Sequence, residues 1–398
     1  MRIESIIIIL DILLWIIIAA NVMYILFFAL ASLLPKKEHQ SSYISHLPSY
    51  LILFPAYHED AVIINSVKSF LQQDYPKELY QVVVISDNMT QDTNEQLSEL
   101  PITLLQPTFE QSSKAKALRH AISSISHHTS SVYDYIVILD ADNIVAPDYL
   151  TQLSTIAHPS MAIQCHRTAK NADNDIAALD GLSEEINNSI FRKGHNRIGM
   201  SSALIGSGMC FDYHWFCANV SKLDSAVEDR ELEALLMMQG VHIHYAEDIL
   251  VMDEKVSSTD NFQRQRLRWM TGQVQAFLQM LPCLPKAIIT GNINYIDKTI
   301  QQALIPRSIL LVLTPILCFI ATLTSSIYHL PSIIYHLKWW FTLALFIIGL
   351  YIAIPSQLRT KVVLKKTTIL PSLVWRMAKN ILHIRTNNKD FIHTTHGK

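Results

Sequence analysis

The stretch Tyr133-Asp134-Tyr135-Ile136-Val137-Ile138-Leu139-Asp140-Ala141-Asp142 is an apolar, β-branched run that ends abruptly in two carboxylates one residue apart. Ile136 to Leu139 leave no polar face, which predicts a strand buried on both sides in an α/β sheet. Ligands of open α/β sheets bind outside the carboxyl ends of the strands. Asp140 and Asp142 sit at such an end, and their i, i+2 spacing can aim both carboxylates at one ion. Mg²⁺ or Mn²⁺, held by one or two carboxylates plus substrate phosphates, is the simplest chemistry that fits. Asp-Ala-Asp-Asn is also readable as a solvated turn with an Asp cap. By itself the stretch leaves both readings open.

On the N-terminal side, Tyr50 to Phe54 predicts a short strand running into Pro55-Ala56-Tyr57-His58-Glu59-Asp60. A helix follows, with apolar positions at Val62, Ile63, Val67, Phe70 and Leu71. Tyr80 to Ile85 predicts a second strand, ending in Ser86-Asp87-Asn88. After a polar helix come a short strand at Ile102 to Leu105 and a helix from Ser112 to Ile122 that carries Lys114 and Lys116. This β-α-β-α order, with acids just past most strands, predicts a mostly parallel sheet with a nucleotide over its carboxyl edge.

On the C-terminal side, Met161 to Thr168 predicts a strand and Asn174 to Arg192 a helix carrying Glu184 and Glu185. Ser202 to Phe211 is strand-like but interrupted by Gly206-Ser207-Gly208. The chain has only 10 glycines, so two at i, i+2 point to a close backbone approach, an unusual turn or a β-bulge. Glu228-Asp229 opens a helix that ends at Gly240. His242-Ile243-His244 alternates as on a strand, and these histidines read as structural. Phe262 to Leu281 predicts a helix that places Gln265, Arg268 and Trp269 on one face at i, i+3, i+4.

Half of the 398 residues are hydrophobic and 17% are charged. The excess gathers in Ile6 to Leu34, Ile305 to Ser325 and Leu337 to Ile354, each long enough to cross a hydrocarbon core of about 30 Å as a helix. The first run is too long for a secretory core segment, which predicts an uncleaved anchor. Lys36 and Lys37 follow it, and Arg359, Lys361, Lys365, Lys366, Arg376, Lys379 and Arg385 follow the third. Basic flanks favour the cytoplasm, so residues from about 36 to 300 are expected there, and Met1 and the 326–336 loop outside. Leu281 to Ile300, broken by Pro282 and Pro285, reads as membrane-surface helix. A net charge of −2, with no basic stripe in the central region, argues against a nucleic-acid partner. The 5 cysteines show no CxxC pair and no histidine at zinc spacing, so they read as reduced thiols. Three spans without intramembrane charge pairs speak against a transporter.

Pro55 to Asp60, Asp87, Asp140/Asp142, Glu228/Asp229 and Gln265/Arg268/Trp269 together resemble the membrane-bound family-2 glycosyltransferases, the group of cellulose, hyaluronan and poly-N-acetylglucosamine synthases. The resemblance covers roughly residues 48–275 and the flanking membrane helices. It implies a GT-A type nucleotide-sugar domain over 48–275, with one N-terminal and two C-terminal transmembrane helices. The corresponding divisions are an anchor at 1–35, interface helices at 276–302, two spans at 303–356 and a basic interfacial tail at 357–398. It also implies an inner-membrane, multi-pass enzyme with its catalytic domain in the cytoplasm.

The resemblance further implies residue roles. Asp140 and Asp142 would hold Mg²⁺ or Mn²⁺ under the diphosphate, Asp142 as the direct ligand. Asp229, in Val227-Glu228-Asp229 where the family has Thr-Glu-Asp, would be the base that deprotonates the acceptor hydroxyl. Acids at a helix start also favour the dipole, which is the plainer reading of Glu228-Asp229. Gln265, Arg268 and Trp269 match Gln-x-x-Arg-Trp: Arg268 would grip phosphate and Trp269 wall the pyrophosphate or acceptor sugar. Pro55, Ala56, Tyr57 and Glu59 resemble the first nucleotide loop, and Asp87 the carboxylate that bonds uracil. Ser86-Asp87-Asn88 departs from the family's Asp-Asp-Gly-Ser, leaving one carboxylate for the base. Lys114 falls where the family has Gly-Lys, with Ser113 in place of the glycine; a solvated lysine is the alternative. Gly206, Ser207 and Gly208 match a segment near donor sugar and acceptor.

The implied reaction is inverting transfer from a nucleotide sugar, a UDP-sugar by the Asp87 position, to a growing glycan or lipid-linked acceptor. Gln-x-x-Arg-Trp leans toward polymer synthesis. Three spans are few for a polymer channel, so secretion calls for a homo-oligomer, an export partner or a lipid-linked acceptor at the membrane surface. The alternative is a non-catalytic sugar-nucleotide-binding subunit of a polysaccharide assembly complex, whose signature is a lost metal or base carboxylate.

Overall fold

The computed structural model describes residues 3–36, 46–128, 133–158, 161–171, 174–224, 227–255, 259–328 and 333–359. Lys37 and the basic tail from residue 360 onward, on which two of the topology arguments rest, lie outside the described residues. The strands are β1 (Tyr50–Tyr57), β2 (Tyr80–Asp87), β3 (Thr103–Leu105), β4 (Tyr135–Ile138), β5 (Ile144–Val145), β6 (Met161–Ala169), β7 (Met209–Asp212) and β8 (His242–Asp253). They form one sheet in the order β3-β2-β1-β4-β7-β6-β8-β5. β1, β2, β3 and β4 are parallel, as are β6 and β8, while β7 and β5 run against their neighbours. The sheet is thus α/β and mostly parallel, as the strand–helix alternation predicts.

β4 shows why its sequence has no polar face. Tyr135, Val137 and Leu139 enter one hydrophobic core and Ile136 and Ile138 the other, so successive residues are buried on opposite sides. β1 is built the same way, with Tyr50, Ile52, Phe54 and Ala56 opposite Leu51 and Leu53. β1 continues through Pro55 to Tyr57, beyond the expected end at Phe54. The ladder to β4 stops at Leu53↔Ile138, so a proline past that point costs no hydrogen bond on that side.

The expected strand over Ser202 to Phe211 is only β7, from Met209. Gly206 (φ +83°) and Gly208 (φ +64°) take left-handed conformations that no regular strand accommodates. Instead Gly208 N–H donates to the Ile138 carbonyl at 2.9 Å and the Gly208 carbonyl accepts from Cys165 N–H at 2.8 Å, so the turn is stitched between β4 and β6. A helix at Tyr213–Asn219, absent from the sequence reading, is capped by Asp212, which accepts from Trp215 N–H at 2.8 Å.

Three helices, spanning Ile8–Ala31, Arg307–Ile327 and Tyr335–Ala353, are long and apolar enough to cross a bilayer. They pack together around Ile18, Val22, Leu310, Cys318, Trp339 and Phe346. The expectation of no charge pair within the spans is corrected: Asp11 pairs with Lys338 and also accepts from Trp339 Nε1–H at 2.8 Å. A lone aspartate in a helix this apolar gives no hint of a partner, because that partner lies 327 residues away.

The bundle is joined to the sheet domain by polar contacts. Tyr24, on the first helix, donates to Asp297 Oδ1 at 2.6 Å. His195 lies 3.1 Å from Asp297 and stacks on Phe28 at 3.5 Å between ring centres. Asp297 belongs to the helix Ile293–Ala303, which buries Asp297, Lys298 and Gln301 on one face and exposes Ile293 and Ile300 on the other. Neighbouring Ile288 and Ile289 are exposed too, an apolar surface of the kind a membrane interface covers.

At Gly194 an added Cβ would lie 2.2 Å from the Phe28 carbonyl oxygen. Gly194→Ala should therefore push the first helix off the sheet domain. The expected cost is about 1–3 kcal/mol, read as a lowered thermal midpoint of the detergent-solubilised protein; an unchanged midpoint would show that this contact does not hold the two parts together.

Candidate active site

The carboxyl ends of β1, β2 and β4 open onto a cavity of about 760 Å³. Pro55, Tyr57 and Glu59 line it from the end of β1, Asp87 from β2, and Asp140 and Asp142 from the turn after β4. Lys114, Gly206, Glu228, Asp229, Gln265, Arg268 and Trp269 complete this part of its wall. Of Gly206, Ser207 and Gly208, only Gly206 faces the cavity. Ser207 is fully buried, and its hydroxyl bonds Asn143 Oδ1 and accepts from Asp140 N–H at 3.3 Å. Gly208 packs against Val251, 2.9 Å from where its Cβ would be.

The Asp140–Asn143 turn is a built structure. Asp140 N–H donates to Asn143 Oδ1 at 2.9 Å. Asp142 is buried, accepts from Asn143 Nδ2 at 3.0 Å and accepts from Glu254 N–H at 2.8 Å. These two bonds fix the Asp142 carboxylate at the cavity wall. The plain solvated-turn reading does not fit a carboxylate buried this way.

Lys114 is inserted among the acids. Its ammonium lies 2.5 Å from Asp140 Oδ1, 2.5 Å from the Gly206 carbonyl and 3.5 Å from Glu228 Oε1. Burial alone would lower its pKa, but Asp140 and Glu228 raise it above the ordinary lysine value. It is therefore a fixed cation and not a solvated one. Gly206 sits against the same group: a Cβ there would meet Asp229, Glu228 and Lys114 at 3.7, 3.8 and 3.9 Å. Its left-handed φ and this crowding explain the glycine together.

Glu228 opens the helix Glu228–Met238 with its side chain buried. Burial pushes its pKa up to about 7; Lys114 opposes this, and Asp229 and Asp140 add to it. Asp229 Oδ1 accepts from Arg230 N–H at 2.9 Å. Arg268 reaches the same acids: burial lowers its pKa, while Glu228, Asp140 and Asp229 pull it up. Trp269 holds the neighbouring Arg266 guanidinium 4.4 Å from its ring centre, and Arg266 pairs with Asp180. Gln265 Oε1 is buried at the cavity wall without a hydrogen-bond partner among the described residues.

At the far end, Asp87 is buried, which raises its pKa, with Ser112, His58 and Lys116 opposing. Asn88 (φ +55°) turns back so that its Nδ2 donates to Asp87 Oδ1 at 3.0 Å. The departure at Asn88 thus supplies a neutral amide beside the single remaining carboxylate.

A second charged group that also lines the cavity was not legible as a motif. Arg167 on β6 lies 3.3 Å from Glu184 and 3.4 Å from Asp253. Glu184 also pairs with Arg192 at 3.3 Å, and Lys255 with Asp253 at 2.8 Å. Burial would raise the Glu184 pKa, but Arg167, Lys255 and Arg192 bring it down to about 2. These residues share their elements with other polar side chains, such as His166, Thr168, Glu185 and Glu247, so only their burial marks them.

The donor set fits Mg²⁺ or Mn²⁺. Asp140 and Asp142 offer carboxylate oxygens on one cavity wall, beside room for a diphosphate. Among the described residues no three His, Cys, Asp or Glu side chains form a complete metal cage. An ion here would complete its shell with substrate oxygens and water, as Mg²⁺ habitually does.

The family described as glycosyltransferase like family 2 matches residues 48–272. A β-monoglucosyldiacylglycerol synthase of Nostoc sp. is 25% identical over 255 residues, 61% of this chain and 52% of the relative, so the chain spans about half of that relative's length. An N-acetylglucosaminyltransferase of Rhizobium leguminosarum bv. viciae is 24% identical over 292 residues, 69% of this chain and 67% of the relative. Among solved structures, a mannosyltransferase from Pyrobaculum calidifontis, in complex with GDP-Man and Mn²⁺, aligns over 92% of this chain and 100% of its own, with a TM-score of 0.54 and 16% identity. That likeness establishes the GT-A fold. Matched over more than half of its length, the chain belongs to glycosyltransferase family 2.

Proposed function

We propose that the protein is a membrane-anchored, inverting glycosyltransferase. It moves a sugar from a nucleotide sugar, a UDP-sugar by the Asp87 position, to a growing glycan or lipid-linked acceptor at the cytoplasmic face of the inner membrane. The observation that carries this is the convergence of Asp140, Lys114, Gly206, Glu228, Asp229 and Arg268 on one cavity whose far end holds Asp87.

In this reading Tyr57, Asp87 and Asn88 receive the nucleoside base, and Pro55 and Glu59 shape the loop above it. Asp140 and Asp142 hold a divalent ion, which when bound neutralises the diphosphate of the leaving nucleotide. Arg268 adds a guanidinium where that charge develops. The acceptor oxygen attacks the anomeric carbon from the face opposite the diphosphate. The new C–O bond forms as the C–O bond to phosphate breaks, its electron pair leaving on the nucleotide. Asp229 takes the acceptor proton. Glu228 and Lys114 set the local charge beside it, and Trp269 and Gln265 form the wall along which the acceptor lies.

With Mn²⁺, purified protein should bind at least one member of a nucleotide-sugar panel by thermal shift and transfer its sugar; binding to none would overturn the reading. Asp229→Asn should lower kcat by about 10²–10⁴ with donor affinity retained. Asp142→Asn, or chelation with EDTA, should abolish transfer, and Mn²⁺ or Mg²⁺ should restore it after EDTA only.

The pH behaviour follows from burial. In metal-free protein the Glu228 carboxyl should lose its proton near pH 7, seen as loss of its infrared C=O band with rising pH. Lys114 favours the charged form, so Lys114→Met should move that transition to higher pH.

A further inference from the structure

The cavity does not end at the carboxylates. It continues past Arg307 and Ser308 to Ile25 of the first span, Leu311 of the second and Leu350 and Tyr351 of the third. Side chains from all three membrane helices therefore line the space that also contains Asp229. A hydrophilic glycan has no use for such an apolar end, whereas an acyl or prenyl chain matches it. Arg307 and Leu311 stand one helical turn apart and face the same space, so a cation sits directly above the apolar portion.

Arg307 differs from its neighbours in its partners. Arg167, Arg192 and Arg266 each hold a carboxylate, from Glu184 and Asp253, Glu184, and Asp180 respectively. Arg307 donates only to neutral oxygens: Asn187 Oδ1 at 2.7 Å, the Ser183 carbonyl at 3.0 Å and Ser183 Oγ at 3.4 Å. Among the described residues it makes no ion pair. A guanidinium in a recess, offered only neutral acceptors, favours an anion brought by the ligand.

Resting on the glycosyltransferase reading, we propose that the acceptor is a phosphate-bearing membrane lipid with a free hydroxyl beyond its phosphate. Its tail occupies the apolar end, its phosphate meets Arg307 and its hydroxyl reaches Asp229. The hydroxyl oxygen bonds the anomeric carbon, its proton passes to Asp229, and the nucleotide diphosphate leaves with the electron pair of the broken bond. The product is a lipid that carries one more sugar on the same headgroup.

The test uses the full chain in phosphatidylcholine vesicles with Mn²⁺ and a radiolabelled nucleotide sugar. The vesicles contain either phosphatidylglycerol, which has a phosphate and free hydroxyls, or diacylglycerol, which has a hydroxyl and no phosphate. Label should enter the solvent-extractable lipid with phosphatidylglycerol, and exceed that with diacylglycerol by about tenfold or more. Arg307→Gln should remove this preference, and Leu350→Trp, which fills the apolar end, should lower lipid labelling with either. Outward-facing Ile320→Trp, on the same helix as Arg307, should leave both unchanged. Equal use of diacylglycerol, label confined to water-soluble polymer, or an Arg307→Gln protein that keeps its preference would overturn the proposal. Thermal shift with the donor separates the two readings: donor binding without lipid labelling overturns this one, and absence of donor binding overturns the glycosyltransferase reading beneath it.

Discussion

A single ammonium group ties the catalytic end of this molecule together. Lys114 sits between Asp140, the Gly206 carbonyl and Glu228, which come from the turn after β4, the glycine turn before β7 and the start of a later helix. Four carboxylates, Asp140, Asp142, Glu228 and Asp229, line one small space, and like charges at such range repel strongly in a medium poorer than water. A buried cation among them offsets part of that repulsion before any metal or substrate arrives. The glycines answer to the same crowding, since Gly206 has acids and the lysine within 4 Å of where a Cβ would stand.

Farther along the same cavity, the ion pairs of Arg167, Glu184, Arg192, Asp253 and Lys255 are nearly all buried. Buried pairs contribute little net stability as pairs, yet removing one member costs about 3–5 kcal/mol because it strands the other. Their effect here is positional. They clamp β6, β8 and the helix Asp175–Asn187 into one frame, and Glu254 N–H, next to Asp253, is the group that fixes Asp142.

The three long apolar helices are part of that frame. Tyr24, Phe28 and Asp297 join the first span to the sheet domain, and Asp11 with Lys338 joins the first span to the third. Charges within apolar helices are costly unless paired, so the Asp11–Lys338 pair specifies which faces of the two helices meet. The cavity reaches these helices because the sheet domain rests directly on them.

The residues alone determined the sheet class, the three apolar helices and the candidate residues that line the carboxyl-edge part of the cavity. β4 was legible because a strand buried on both faces must be apolar at every position, and Asp140 and Asp142 because carboxylates at its end break that rule. Gln265, Arg268 and Trp269 were legible because helical spacing sets their common face. Which side of the glycine turn faces the cavity, the burial of Lys114, the partner of Asp11 and the reach of the cavity to Arg307 and Leu350 were decided only by the tertiary structure. Each depends on residues distant in the chain meeting across the fold, and local periodicity, which reports how one element divides its own faces, carries no information about which other element will cover them.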